Sequence, residues 1–226
     1  MGLAQLRKCT VVASSALAIL AMAATASATP FISGFGWVTT DANSQNASPA
    51  TLALASCHSG SACTAADADV TFSASGIGFD SRLGASDYQI SGFLNSEGLA
   101  SGITFHNGVV GTQLLDAGGL GMLFEFTGTA HFVNGQTFTV AHDDGLTMTV
   151  GAFVFSAPGP TAPTTSTFTY TGATGDFAFD LVYGECCGSP AVFETTLVPN
   201  TVPEPASLVL LGTGLLGVAR RRFSKK

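Results

Sequence analysis

The chain has 226 residues, a formal net charge of −7, and a composition that is 46% hydrophobic and only 10% charged. Seven of its eight basic residues lie near its two ends, so residues 29–201 set fourteen carboxylates against the single Arg82, a net charge of −13. Such a body repels nucleic acid and anionic lipid, which excludes both as partners, and it favours cations, calcium foremost, although an acidic surface also serves solubility alone.

In chain order, Arg7 and Lys8 form a positive n-region, residues 11–24 an apolar h-region, and Ala26-Ser27-Ala28 a small-residue cleavage site. This pattern predicts a signal peptide over residues 1–28, helical in its apolar part, which uses the secretion translocon and is cut by signal peptidase between Ala28 and the exported body. Cys9 precedes the apolar stretch and leaves with it, so no lipoprotein signal is read. The remaining 29–201 fits one domain with a full core.

Residues 41–67 are small and polar and predict a long loop held by Cys57 and Cys63. With Cys186 and Cys187 they make an even number of cysteines in an exported body, which predicts disulfides. Three connectivities are open. A bridge between the adjacent Cys186 and Cys187 closes a small ring with a distorted peptide, so each is expected to cross to Cys57 or Cys63, with a local Cys57–Cys63 pair as the rival. Zinc is disfavoured because the usual C-x2-C spacing is missing.

The body has no stretch at helical spacing and many short alternating runs, an all-β pattern. Strands are predicted around 34–39, 69–74, 88–94, 103–106 and 120–132, then over 136–142 (QTFTVAH), 146–155 (LTMTVGAFVF), 166–171 (STFTYT), 176–183 (DFAFDLVY) and 191–198 (AVFETTLV). Phe177, Phe179, Leu181 and Tyr183 lie two apart and share a face, as do Leu146, Met148 and Val150, and these should build the core. Asn134-Gly135, Asp144-Gly145 and 172–175 supply hairpin-type turns, because Gly, Asn and Asp tolerate the positive φ that tight turns need. About ten antiparallel strands without intervening helices predict a β-sandwich of jelly-roll type.

The segment with most chemical content is 137–194. An alternating strand runs into Asp143-Asp144-Gly145 and out into another, and a later strand ends in Leu181-Val182-Tyr183-Gly184-Glu185. The pair of motifs resembles the PA14 domain, a β-sandwich whose central hairpin carries Asp-Asp-Gly and whose following strand has a Leu-x-Tyr-x-Glu pattern. The proline loop at 158–163 and the two cysteines depart from that family. In its sugar-binding members the paired aspartates hold calcium, which in turn binds sugar hydroxyls, and the resemblance carries that role to Asp143 and Asp144. Adjacent carboxylates repel, and calcium, with 6–8 hard oxygen ligands, relieves the repulsion. The alternative is that Asp-Asp-Gly is simply a favourable turn.

Catalytic signals are weak. Adjacent carboxylates do not easily flank a glycosidic bond, and no G-x-S-x-G, H-E-x-x-H or P-loop pattern occurs, so the chain is predicted not to be an enzyme. Trp37 is the only tryptophan, and its position in a predicted strand favours a place in the core over stacking on a sugar.

The chain closes with Pro203-Glu204-Pro205, an uncharged, mostly apolar run over 206–219, and Arg220, Arg221, Arg222, Lys225 and Lys226. Fourteen residues are short of the roughly 17–25 of a membrane-spanning helix, but the basic cluster supplies a cytoplasmic stop. Over 202–226 this order resembles the PEP-CTERM sorting tail of Gram-negative bacteria. The resemblance implies a C-terminal transmembrane helix, an inner-membrane intermediate, processing by an exosortase, and delivery to the cell surface or extracellular matrix. Such tails occur in bacteria that make exopolysaccharide, which implies a matrix or biofilm role. The expected function is a non-catalytic polysaccharide-associated module; the alternatives are a structural surface protein without a small ligand and a glycoside hydrolase.

Overall fold

The computed structural model describes residues 31–199 apart from 55, 56, 58–61, 85, 87 and 158. The predicted signal helix with Ala26 and Ala28, the C-terminal helix, and the tail residues Pro203, Glu204, Pro205 and Arg220–Arg222 lie outside the described residues. Among the described residues no helix is long and apolar enough to cross a membrane.

Among the described residues eleven strands are observed: β1 (Ile32–Thr40), β2 (Val70–Ala74), β3 (Gly78–Asp80), β4 (Ala100–Phe105), β5 (Leu120–Phe132), β6 (Thr137–His142), β7 (Leu146–Val150), β8 (Phe153–Ala157), β9 (Thr164–Thr169), β10 (Gly175–Glu185) and β11 (Val192–Thr195). They form a seven-stranded sheet in the order β4-β2-β1-β5-β10-β7-β8 and a four-stranded sheet in the order β3-β11-β6-β9, with all pairings antiparallel. The all-β, two-sheet expectation holds, with unequal sheets and three more strands than the eight of a jelly roll.

The alternating residues meet between the sheets. Phe72, Phe124, Phe126, Phe179, Leu181 and Tyr183 of the large sheet pack with Phe79, Phe138, Val140 and Phe193 of the small one in one buried cluster. Tyr183 and Phe193 stack with ring centroids 4.5 Å apart and planes 6° apart, joining the two layers face to face. Aromatic burial of this kind dominates core energetics, at roughly 1.5–3 kcal/mol per large apolar side chain.

Three expectations change. The predicted strand around 88–94 is instead a short helix, Ile90–Asn95, whose Ile90, Phe93 and Leu94 are fully buried. Its sequence satisfies both periods, since Ile90 and Leu94 lie four apart, and the i, i+3, i+4 set wins because Phe93 also reaches Phe79, Phe124 and Tyr183. The predicted strand 146–155 divides into β7 and β8 at Gly151, whose φ of 60° occupies the first central position of a two-residue hairpin, with Val150 opposite Phe153.

The third change concerns 41–67, which carries two short helices, Asp41–Ser44 and Pro49–Leu54, and a 3-10 turn, Ala65–Asp67. It covers the outer face of the large sheet. Leu52, Cys57, Cys63 and Ala68 pack there with Trp37, Leu123 and Val182 in a second buried cluster. The Trp37 indole N–H donates to the Thr64 carbonyl at 3.1 Å, and the ring is fully buried, so it is core and unavailable to a sugar.

The cysteine pairing also differs from the favoured expectation. Cys57 bonds Cys63, and Cys186 bonds its neighbour Cys187, with Cα separations of 5.3 and 3.8 Å. Cys57 and Cys63 are held in the cluster over Trp37, while Cys186 is buried at the end of β10 with its N–H committed to Asp144. Cys187 takes a φ of 67°, the left-handed conformation that accommodates the adjacent bridge. The loop meets the end of β10 through packing: a Cβ on Gly184 would collide with the Ser44 carbonyl oxygen.

Candidate functional site: an acidic cleft at a sandwich corner

The chain passes from β6 in the small sheet to β7 in the large one through Asp143-Asp144-Gly145. These strands do not pair, so the segment is a corner between sheets and not the expected hairpin. The same holds for Asn134-Gly135, between β5 and β6, and for 172–175, between β9 and β10. The left-handed residues anticipated at two of them are present, Asp144 at φ 68° and Gly135 at φ 81°, but they redirect the chain across the sandwich.

Both aspartates are buried, Asp143 at 6% and Asp144 at 2% exposure. Asp144 is held from every side. Its Oδ1 accepts the Thr161 N–H at 3.2 Å and its Oδ2 the Cys186 N–H at 2.6 Å, while its own N–H donates to the Thr161 carbonyl at 3.2 Å. His142 Nδ1 donates to the Asp144 carbonyl at 2.7 Å, and its Nε2 pairs with Ser166 Oγ at 2.8 Å. The Gly184 N–H closes the corner on the Gly145 carbonyl at 2.9 Å. His142, itself buried, is therefore a strut beneath the corner.

Asp143 is tied down mainly through its backbone, whose N–H donates to the Val192 carbonyl at 2.9 Å. Burial first, and the adjacent Asp144 charge second, push its carboxyl up to about 7. Burial also raises Asp144, opposed by the amides of Cys186 and Thr161. The Arg82 charge opposes this rise at Asp143, while its guanidinium is engaged with Asp80 through Nε at 2.8 and 2.9 Å and through an N–H at 2.5 Å.

The two aspartates form the acidic part of an open cleft of about 360 Å³. One wall is the proline loop, with Pro160, Thr161 and Pro163; the other is the 186–190 segment, with Cys186, Cys187 and Pro190. Sequence reasoning missed both walls. Their signal was present as the departures from the PA14 pattern, the proline loop and the cysteine pair. Among the described residues no group of three or more His, Cys, Asp or Glu side chains is arranged to hold a metal ion. The cleft therefore offers two carboxylates and leaves any remaining coordination to neutral oxygens, a set that suits a hard cation with exchangeable ligands.

Glu185, the end of the Leu-x-Tyr-x-Glu pattern, is fully buried and stands apart from the cleft lining. Tyr183 and Tyr88 donate their hydroxyls to it at 2.7 and 3.2 Å, and burial holds its carboxyl well above the usual range despite them. It serves the core and is not an open ligand.

Residues 201–222 match the family described as the PEP-CTERM protein-sorting motif. No curated protein matches the chain. Among solved structures, the chain is similar to the PA14 domain of the MpAFP antifreeze protein, at 19% identity over 75% of this chain and 81% of that one, with a TM-score of 0.46. It is also similar to a PA14 sugar-binding domain from an RTX adhesin, at 18% identity over 74% of this chain and 88% of that one, with a TM-score of 0.44. The chain thus carries a PEP-CTERM protein-sorting motif, which implies an exported protein, behind a two-sheet β body whose structural neighbours are PA14 domains.

Proposed function

We propose that the body is a non-catalytic binding module, delivered to the cell surface or extracellular matrix by an exosortase, that holds calcium at Asp143 and Asp144 and engages the hydroxyls of an extracellular polysaccharide through the ion. The observation that carries this reading is the burial of two adjacent carboxylates against an open cleft, with the nearest cation committed to Asp80. Holding both ionised there is unfavourable without a counter-ion, and a divalent cation supplies one. Asp143 would be the terminal ligand, because both oxygens of Asp144 already accept amide hydrogens. Calcium bound by few protein groups keeps positions for sugar hydroxyls, and the apolar proline walls suit the C–H face of a sugar ring.

The test is a calcium titration of the full chain and of Asp143→Asn, followed by retention on polysaccharide with and without chelator. Wild-type binding in the micromolar to millimolar range, about 10⁻⁶–10⁻³ M, that raises the melting point and falls at least about tenfold in Asp143→Asn is the expected result. Absence of calcium heat from the folded wild type would leave the corner as a structural device and favour a surface protein without a small ligand.

A further inference from the structure

The wall formed by residues 186–190 hangs between two fixed points. At one end the buried Cys186 donates its N–H to Asp144 Oδ2 at 2.6 Å. At the other, Ala191 exchanges backbone contacts with Ser81, its N–H donating to Ser81 Oγ at 2.7 Å and its carbonyl accepting the Ser81 N–H at 2.8 Å. Between them Cys187 is exposed, is bonded to its neighbour Cys186, takes a φ of 67°, and accepts a contact from Gln45 Nε2 at 3.5 Å. A side chain other than glycine is disfavoured in that left-handed conformation. The bridge and this disfavoured conformation thus fall on the same residue of the wall. The cysteines differ in exposure: Cys187 is exposed, whereas Cys186, Cys57 and Cys63 are buried.

We propose that the Cys186–Cys187 bond is a redox-addressable element of the cleft, and that its reduction releases the 187–190 wall, loosens the Cys186 amide from Asp144 and weakens cation binding at Asp143 and Asp144. The last of these effects rests on the calcium reading above; the first two do not. The reductant is a dithiol. One of its thiolates attacks Cys187 Sγ, the bond to Cys186 breaks, and Cys186 leaves as a thiolate that takes a proton from water. The second thiolate of the reductant then displaces Cys187 from the mixed disulfide, so two electrons and two protons pass from the dithiol to the cysteine pair, and the reductant ends as its own cyclic disulfide. Relieved of the ring, Cys187 returns to negative φ and the wall moves from the aspartates.

The experiment compares the full chain oxidised, after mild reduction with dithiothreitol, and after reoxidation, with alkylation mapping to confirm that Cys187 opens before Cys57 and Cys63. Amide hydrogen exchange at Cys186 and Thr161 is read in each state, beside a calcium titration. Reduction is expected to speed exchange at Cys186 and to weaken calcium binding, each by about tenfold, the scale of one left-handed residue's preference, with recovery on reoxidation. The double variant Cys186→Ala with Cys187→Ser should reproduce the reduced state while Cys57–Cys63 remains closed. Unchanged Cys186 exchange in the chemically reduced wild type, or resistance of Cys187 to alkylation, overturns the proposal. A responding amide with no calcium heat in any state retires the calcium reading and leaves the redox element standing.

Discussion

Asp143 and Asp144 are alike in sequence and unlike in the folded protein. Asp144 is the keystone of the corner: one carboxylate accepts two backbone amides while its own carbonyl rests on His142. Asp144→Ala should therefore cost about 2–4 kcal/mol, since it strands the buried Cys186 N–H and the half-buried Thr161 N–H and places alanine at a left-handed φ. For a body of this size that is a fall of about 5–15 °C in melting point. Asp144→Asn keeps an acceptor and tolerates the conformation, and should recover at least half of the loss; equal melting points for Ala and wild type would remove Asp144 from this role. It follows that a double substitution of the aspartates confounds ligand with fold, and that Asp143→Asn is the clean probe of binding.

At the scale of elements, the outer face of the large sheet carries an acidic couple. Glu125 of β5 stands opposite Val182 of β10, and Asp180 lies two residues along β10 on the same face. Burial, then the charge of Asp180, pushes Glu125 up to about 7; burial raises Asp180, whose Oδ1 accepts no hydrogen bond from the described residues. A folded-state value above the unfolded one means that the folded protein holds the proton more tightly. The stability that Glu125 contributes is thus fully present below about pH 4.5 and is lost as pH rises to about 7. Solvent screening at this partly exposed site limits the effect to the order of 1 kcal/mol. Denaturant midpoints at pH 5 and pH 8 should show Glu125→Gln gaining stability at pH 8 and a shallower decline; parallel slopes in variant and wild type would contradict the assignment. Asp143 adds a decline of the same sign, which calcium should flatten and Glu125→Gln should leave in place.

For the molecule as a whole, stability depends on how the small sheet is fastened to the large one. β11 has four residues, yet it pairs with both β3 and β6 and places Phe193 against Tyr183 and Phe126, with centroids at 4.5 and 5.2 Å. Phe193→Ala should cost about 3–5 kcal/mol, the range for a large aromatic lost from a packed core, and should loosen β3 and β11 together in hydrogen exchange. A cost below about 1 kcal/mol would mean that the layers are held elsewhere. Chain crossings multiply this dependence: the path from β5 to β11 changes sheet at every step except the β7–β8 hairpin, so few strands are secured by a sequence neighbour.

Much of this was legible in residue order. Alternation at period two is a local property, so Phe179, Leu181 and Tyr183, or Leu146, Met148 and Val150, announce strand and buried face without knowledge of a partner. Turn chemistry is local in the same way, and the left-handed sites at Asp144 and Gly135 follow from residue type. The sorting motif needs no fold at all, and the acidic pair could be named from its sequence. What a turn joins is not local. Whether Asp143-Asp144-Gly145 closes a hairpin or crosses a sandwich depends on which strands find each other, and that is set by long-range packing. The helix at Ile90–Asn95, the pairing of Cys186 with Cys187, the burial of Trp37 beneath the 41–67 segment, and the proline and cysteine walls of the cleft all depend on residues distant in the chain. Sequence by itself determined most of the strands, their buried faces and the address; only the tertiary structure decided which of the two cleft aspartates supports the corner, because that role rests on amides brought to Asp144 from Thr161 and Cys186.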